Sequence, residues 1–282
     1  MKRRPWLLAA AGSVLLPGCS AFGTLDALVP RGTYRASEAL AYGPLPRQKL
    51  DMYLPLDPQA ATPLVVFFYG GAWSRGERAD YRFVGEALAR NGIAAAVVDY
   101  RLSPEVRWRE ILQDCAAAVK WAADNAARFG CSPDRLFLMG HSAGAYNAAM
   151  LALAPEWLGA QGYQPRKLAG WIGLAGPYDF LPIVDPDARV AFDWPRTPRE
   201  SQPIVHVSAQ APRALLMAPI DDRTVSAQRS TIGLGERLRT AGVDVRVRLL
   251  DKVNHATIVG AMAGPLAFLA PVRDEVVAFI RA

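Results

Sequence analysis

Ser142 stands at the centre of Gly140-His141-Ser142-Ala143-Gly144, directly after an apolar run, Arg135 to Met139, and directly before a helical pattern, Ala145 to Ala154. A strand that must turn at once into a helix holds its middle residue in a strained conformation. Small residues two positions to either side let the two backbones approach, so the serine hydroxyl is pushed out of the sheet. The same turn puts the Ala143 amide at a helix start, where an unpaired N–H faces any developing negative charge. A hydroxyl presented in this way suits nucleophilic catalysis, which needs a base and a group to orient that base. The chain has only three histidines, His141, His206 and His255.

The elements that would position these groups follow an alternating order. Leu64 to Phe68 is a continuous apolar run between Pro63 and Gly70-Gly71, the pattern of a parallel strand covered on both faces. Ile93 to Val98, Arg135 to Met139, Trp171 to Leu174, Ala214 to Met217 and Val243 to Leu250 continue the series. Helical patterns lie between and after them, at Tyr81 to Arg90, Glu110 to Arg128, Ala145 to Ala154, Ser226 to Thr240 and Pro271 to Ile280. Strands alternating with helices predict right-handed crossovers and a mostly parallel central sheet flanked by helices, an α/β domain over 46–282. Gln48 to Leu54 alternates polar with apolar residues and predicts a half-buried antiparallel edge strand. The stretch 181–203 breaks the rhythm with five prolines and reads as a short cap or lid insertion over the site.

Residues 1–18 read as a lipoprotein-type signal peptide: Lys2-Arg3-Arg4, then the apolar stretch Trp6 to Leu16, too short to span a bilayer. Leu16-Pro17-Gly18-Cys19 resembles the lipobox of bacterial lipoproteins, which implies lipidation of Cys19, with 19–45 as a tether. The expectation is a lipid-anchored protein of the bacterial cell envelope, periplasmic or outer membrane, held to a membrane surface at Cys19. An ordinary signal peptide and an uncleaved anchor stay open as alternatives. From Cys19 onward 29 basic residues face 26 acidic ones, a net +3 too small and too scattered to argue for nucleic acid. Cys115 and Cys131 are separated by a helix of roughly 20 Å that the following three residues, at about 10 Å, cannot retrace. Two buried free thiols are therefore expected, not a disulfide.

Five ordered pieces, Tyr69-Gly70-Gly71-Ala72-Trp73, Asp99 to Glu105, the turn at Ser142, Asp221 to Val225, and Asn254-His255, resemble the α/β-hydrolase superfamily. Within it the chain is similar to the carboxylesterase and hormone-sensitive-lipase-like group that includes kynurenine formamidases. The resemblance implies the chain order nucleophile, acid, base. His141 adjoins the serine and would point away from it, and His206 precedes every acidic candidate, which leaves His255 as base. Asp221 and Asp222 both qualify as the acid, and the register of the group's pattern selects Asp222. Position by position, the amides of Gly71 and Ala72 would join that of Ala143 in an oxyanion hole. Tyr69 replaces the group's His and implies altered loop support, whereas Asp99 and Arg101 read as structural, locally paired charges.

The implied activity is a serine carboxylesterase acting on small to medium esters. An amidase, formamidase or peptidase with the same triad, and a non-catalytic envelope protein of the same fold, remain as alternatives. No cofactor and no metal are expected, because no ligand spacing or phosphate loop is present. Trp73, Tyr178, Phe192 and Trp194 are candidates to line an apolar pocket. The sequence leaves oligomeric state open.

Overall fold

The computed structural model describes residues 21–59 and 61–282. The signal-type segment 1–18 and Cys19 therefore lie outside the described residues. Among the described residues eight strands, β1 (Arg35–Ala41), β2 (Lys49–Leu54), β3 (Thr62–Phe68), β4 (Ala94–Val98), β5 (Cys131–His141), β6 (Gly170–Leu174), β7 (Ala214–Pro219) and β8 (Val245–Leu250), form one sheet in the order β1-β2-β4-β3-β5-β6-β7-β8. β1 and β2, and β2 and β4, pair antiparallel; every other pair is parallel. The helices are α1 (Ala21–Ala27), α2 (Arg82–Ala89), α3 (Trp108–Asn125), α4 (Ala143–Leu153), α5 (Pro155–Gly159), α6 (Pro186–Ala191), α7 (Gly233–Thr240), α8 (Thr257–Gly260) and α9 (Val272–Arg281).

The central strands are Val-, Leu-, Phe- and Ala-rich and wholly buried in β3, β4, β6 and β7, as parallel strands with helices on their faces must be. α4 is buried along its entire length among β5, β6, α3 and α5. A helix surrounded on all sides needs no polar face, and Ala143 to Leu153 supplies almost none. The chain passes from β3 to β4 in one direction and then to β5 in the other, so the strand order reverses between β3 and β5. Ligand clefts of open α/β sheets form at such reversals, beyond the carboxyl ends of the strands.

Two expectations are corrected. The stretch 19–45, expected as a tether, carries α1 and β1 within its described part, and β1, not β2, is the antiparallel edge. β2 is consequently buried from Leu50 to Leu54 instead of half-buried. Asp51 is accommodated because its carboxylate accepts from Arg78 Nε at 2.8 Å and from the Ala39 amide at 2.7 Å, which offsets the cost of burying a charge. Tyr53 packs at a tilt against Tyr34, ring centroids 5.5 Å apart, and lies over Gly85, where a Cβ would fall 2.3 Å from the ring.

The remaining expected strands and helices lie where the pattern placed them, to within a few residues. The helix expected over Ser226 to Thr240 opens as a π-turn, Gln228–Ile232, before α7. Cys115 and Cys131 are free and buried. Among the described residues no helix is long and apolar enough to cross a membrane.

Candidate active site

β5 ends at His141, and Ser142 follows with φ 53° and ψ −121°, a conformation that non-glycine residues rarely adopt. Packing enforces it. A Cβ on Gly140 would fall 2.1 Å from the Gly144 carbonyl oxygen, and one on Gly144 would fall 2.0 Å from that of Phe68. Only glycines allow β5 to reverse into α4 while touching the end of β3. The Ser142 amide donates to the Leu174 carbonyl at 2.8 Å, which ties the turn to β6.

His255 stands on the loop between β8 and α8. The Asn254 side chain accepts from the amides of Ala256 and Thr257 at 3.0 and 2.9 Å and closes that loop. His255 Nε2 lies 2.8 Å from Ser142 Oγ and its Nδ1 lies 2.8 Å from Asp222 Oδ2. Ionised Asp222 can only accept, so Nδ1 carries the proton and Nε2 is left to accept from the serine hydroxyl. Three side chains drawn from positions 142, 222 and 255 thus form one continuous relay.

Asp222 follows β7. Its other oxygen accepts from the amides of Thr224 and Val225 at 2.8 and 3.1 Å, and its side chain has no exposure. Burial alone would raise its pKa. The hydrogen bond and charge of His255, with the two amides, outweigh burial and hold the carboxyl below its ordinary 3.8. Asp221 is exposed and takes no part in the relay.

A cleft of about 270 Å³ opens at Ser142, bordered by Ala72, Trp73, Ala143, Phe180 and the lid residues Pro182 to Asp185. Ala143 begins α4, so its amide has no preceding turn to donate to. Gly71, Ala72 and Trp73 have φ of 126°, 49° and 60°, which folds the loop after β3 back over Ser142. Gly71 itself does not border the cleft. It makes the turn, accepting from the amides of Ser74 and Arg75, and a Cβ there would meet the Arg75 carbonyl at 2.2 Å. Trp73 Nε1 donates to Asn147 Oδ1 at 3.1 Å and fastens the loop to α4.

Tyr69 supports this loop from beneath. Its hydroxyl donates to Asp99 at 2.9 Å and accepts from Arg47 at 2.6 Å, while its ring stacks between Tyr81 and Tyr100. Asp99 also receives Arg78, and Arg101 pairs with Asp114 at 2.7 Å, so both charges are structural. Of the four aromatic candidates only Trp73 borders the cleft. Phe192 is buried against Trp73, Tyr146 and Phe180, Tyr178 is buried against Trp171, and Trp194 packs on the core.

The 181–203 stretch lies at the cleft mouth without a long helix or strand. Asp187 on α6 accepts from Ser74 and Arg75 at 2.8 and 2.6 Å, so the lid is fastened to the loop above the serine. Arg229 reaches Asp179 at 3.0 Å and the Leu181 carbonyl. His206 Nε2 meets the Glu200 carbonyl at 2.7 Å, a lid contact. A larger groove of about 410 Å³ beside Leu153, Tyr163 and Arg166 contains none of the relay residues.

The His141 side chain leaves the serine, as expected, and reaches the site from behind: Nε2 lies 2.7 Å from the His255 carbonyl oxygen. Sequence alone gave no signal for a contact spanning so many residues.

The BD-FAE family model matches residues 50–237. An isoprenylcysteine alpha-carbonyl methylesterase of Arabidopsis thaliana is 34% identical over 151 residues, 52% of this chain and 35% of that protein. Esterase LipC of Mycobacterium tuberculosis is 28% identical over 248 residues, 80% of this chain and 61% of its own length. The chain thus spans between about a third and under two thirds of these relatives. Among solved structures, butyrate-bound esterase Est2 of Thermogutta terrifontis superposes with a TM-score of 0.71 at 21% identity, covering 88% of this chain and 94% of that one. At that identity the likeness shows the fold alone.

Proposed function

The chain is an α/β-hydrolase of the BD-FAE family, and from that premise we propose that it is a serine carboxylesterase hydrolysing small to medium esters through an acyl-enzyme on Ser142. The observation that carries this reading is the pair of 2.8 Å contacts on His255, one to Ser142 Oγ and one to Asp222, at the floor of a cleft bordered by Ala72 and Ala143. Ser142 Oγ attacks the ester carbonyl carbon while His255 Nε2 takes the hydroxyl proton. The amides of Ala72 and Ala143, which border the cleft, receive the developing oxyanion while Gly71 shapes the turn that presents Ala72; one such donor is typically worth about 2.7–4 kcal/mol. As the C–O bond breaks, His255 returns the proton to the leaving alcohol. Water then repeats the sequence on the acyl-enzyme, releasing the acid and restoring the serine. Asp222 stays ionised and stabilises the imidazolium throughout.

The cleft's apolar border, Phe180, Pro182, Ile183 and Val184, suits an acyl chain. Its volume of about 270 Å³ lies just below the range of about 300–1,000 Å³ usual for drug-sized ligands, which favours short chains. The esterase names of the relatives and the butyrate-bound structure agree with this choice. A p-nitrophenyl ester series from acetate to dodecanoate, run on wild type and Ser142→Ala, tests it. Fastest turnover from acetate to hexanoate, absent in the variant, is expected. Faster cleavage of matched anilides than of esters would shift the reading to an amidase.

Cys19, by the same proposal, is acylated and holds the enzyme on an envelope membrane. The basic, apolar and lipobox-like order of residues 2–19 supports it. Detergent-phase partitioning that disappears in Cys19→Ser would be the expected result, and unchanged aqueous partitioning of both proteins would contradict it.

A further inference from the structure

One buried ionisable side chain at the site has no part in the relay. His141 is 4% exposed. Its Nε2 stands 2.7 Å from the His255 carbonyl oxygen, and a carbonyl only accepts, so the ring must carry its proton on Nε2. The ring also abuts the loop that folds over the serine. A Cβ built on Gly70 would lie 3.0 Å from His141 Nδ1 and 2.9 Å from Ser142 Cβ. One imidazole, held on the end of β5, therefore touches the backbone of the base-bearing loop on one side and the glycine loop after β3 on the other.

We propose that His141 is a positioning residue: its Nε2–H pins the backbone of His255 and so fixes where that imidazole stands relative to Ser142 and the oxyanion loop. The inference rests on reading Ser142, His255 and Asp222 as the catalytic relay.

The physical case begins with cost. An imidazole in this place must be desolvated, whereas an apolar side chain of similar size would fill the space without that penalty. What the imidazole supplies in return is a directed hydrogen bond to the one residue whose orientation controls the proton. His255 sits on a loop between β8 and α8, and its side-chain contacts depend on where that backbone is held. Burial, reinforced by the nearby charge of His255, keeps His141 neutral, its pKa pushed down to about 3. A neutral ring retains the single tautomer that can donate to the carbonyl. Loosening such a support displaces the base by a fraction of an ångström to an ångström, and misplacement of that order can cost about 100-fold in rate.

The test compares His141→Leu, which removes the donor, with His141→Gln, whose amide reaches about as far as Nε2. Wild type and Ser142→Ala are assayed alongside on p-nitrophenyl acetate. The Leu variant should keep KM within about twofold while kcat falls by about 10–100-fold, and phosphonylation of Ser142 by an organophosphate should slow in parallel. The Gln variant should recover most of both rates. The downfield proton resonance of His255 Nδ1–H, sharp in wild type, should broaden in Leu and return in Gln, a signature that mere cavity filling would not produce. A folded Leu variant with wild-type kcat, or a Gln variant as slow as Leu, overturns the proposal. Should Leu fail to fold, Gln is compared with Asn, whose amide falls short of the carbonyl; equal rates for those two overturn it as well. An inactive wild type would instead count against the esterase reading, so the two failures are distinguishable.

Discussion

Replacing His141 with Gln should make the fold less sensitive to acid, and the size of that effect follows from burial. In the native protein the ring's pKa is pushed down from 6.5 to about 3 by desolvation first and by the charge of His255 second. The unfolded chain regains the ordinary value. Between these limits only the unfolded state binds the proton, so stability rises with pH and is lost as pH falls below 6.5, a loss that ceases to grow near 3. Lowering the pH from about 7.5 to about 5 takes it roughly 1.5 units below the unfolded pKa, at about 1.36 kcal/mol per unit, or about 2 kcal/mol. Urea unfolding of wild type and His141→Gln at both pH values isolates this contribution, because the other titrating groups are common to the two proteins. Wild type should lose about 2 kcal/mol more than the variant over that interval. Equal losses would show that the native ring accepts a proton, and the account of a neutral, buried, donating imidazole would be wrong.

Asp222→Asn should lower kcat by about 10⁴-fold with little change in KM, because His255 loses the partner that fixes its tautomer. The carboxyl's native pKa lies below 3.8, so the stability it contributes is present above that value and fades as pH falls through the native one; the wild-type advantage over Asn in urea melts should shrink steadily as the pH is taken below 3.8. Gly144→Ala puts a Cβ 2.0 Å from the Phe68 carbonyl oxygen and 2.5 Å from that of Tyr69, and since backbone cannot yield as a side chain does, a loss of about 3 kcal/mol or more in thermal unfolding and of most activity is expected. Asp187→Ala frees the lid from Ser74 and Arg75. Both charged partners are largely exposed, so melts should move by less than about 1 kcal/mol while KM for short esters changes several-fold.

What could be read from the sequence was what the backbone dictates locally. The Ser142 turn was legible because a strand, a forced reversal and a helix leave Gly140 and Gly144 no alternative, and the structure places them in contact with carbonyl oxygens. The buried parallel strands were legible for the related reason that covering both faces demands unbroken apolar runs. β1 was not, because Arg35–Ala41 is an exposed edge whose residues carry no burial signal. Without β1, β2 reads as the edge, and Asp51 of β2 is buried only because distant groups such as Arg78 satisfy it. The selection of Asp222 over Asp221 rested on register, and in the structure Asp222 alone turns inward, held by the amides of Thr224 and Val225. The contact between His141 and His255 belongs to tertiary packing alone, and no spacing rule announces it.

The most direct measurement is intact-protein and peptide mass spectrometry after exposure to a fluorophosphonate. The native enzyme should acquire a single covalent label on the peptide containing Ser142, more slowly in His255→Ala, and neither the urea-unfolded chain nor Ser142→Ala should react. A native protein that hydrolyses esters yet stays unlabelled, or carries its label on another residue, would contradict the relay built from positions 142, 222 and 255.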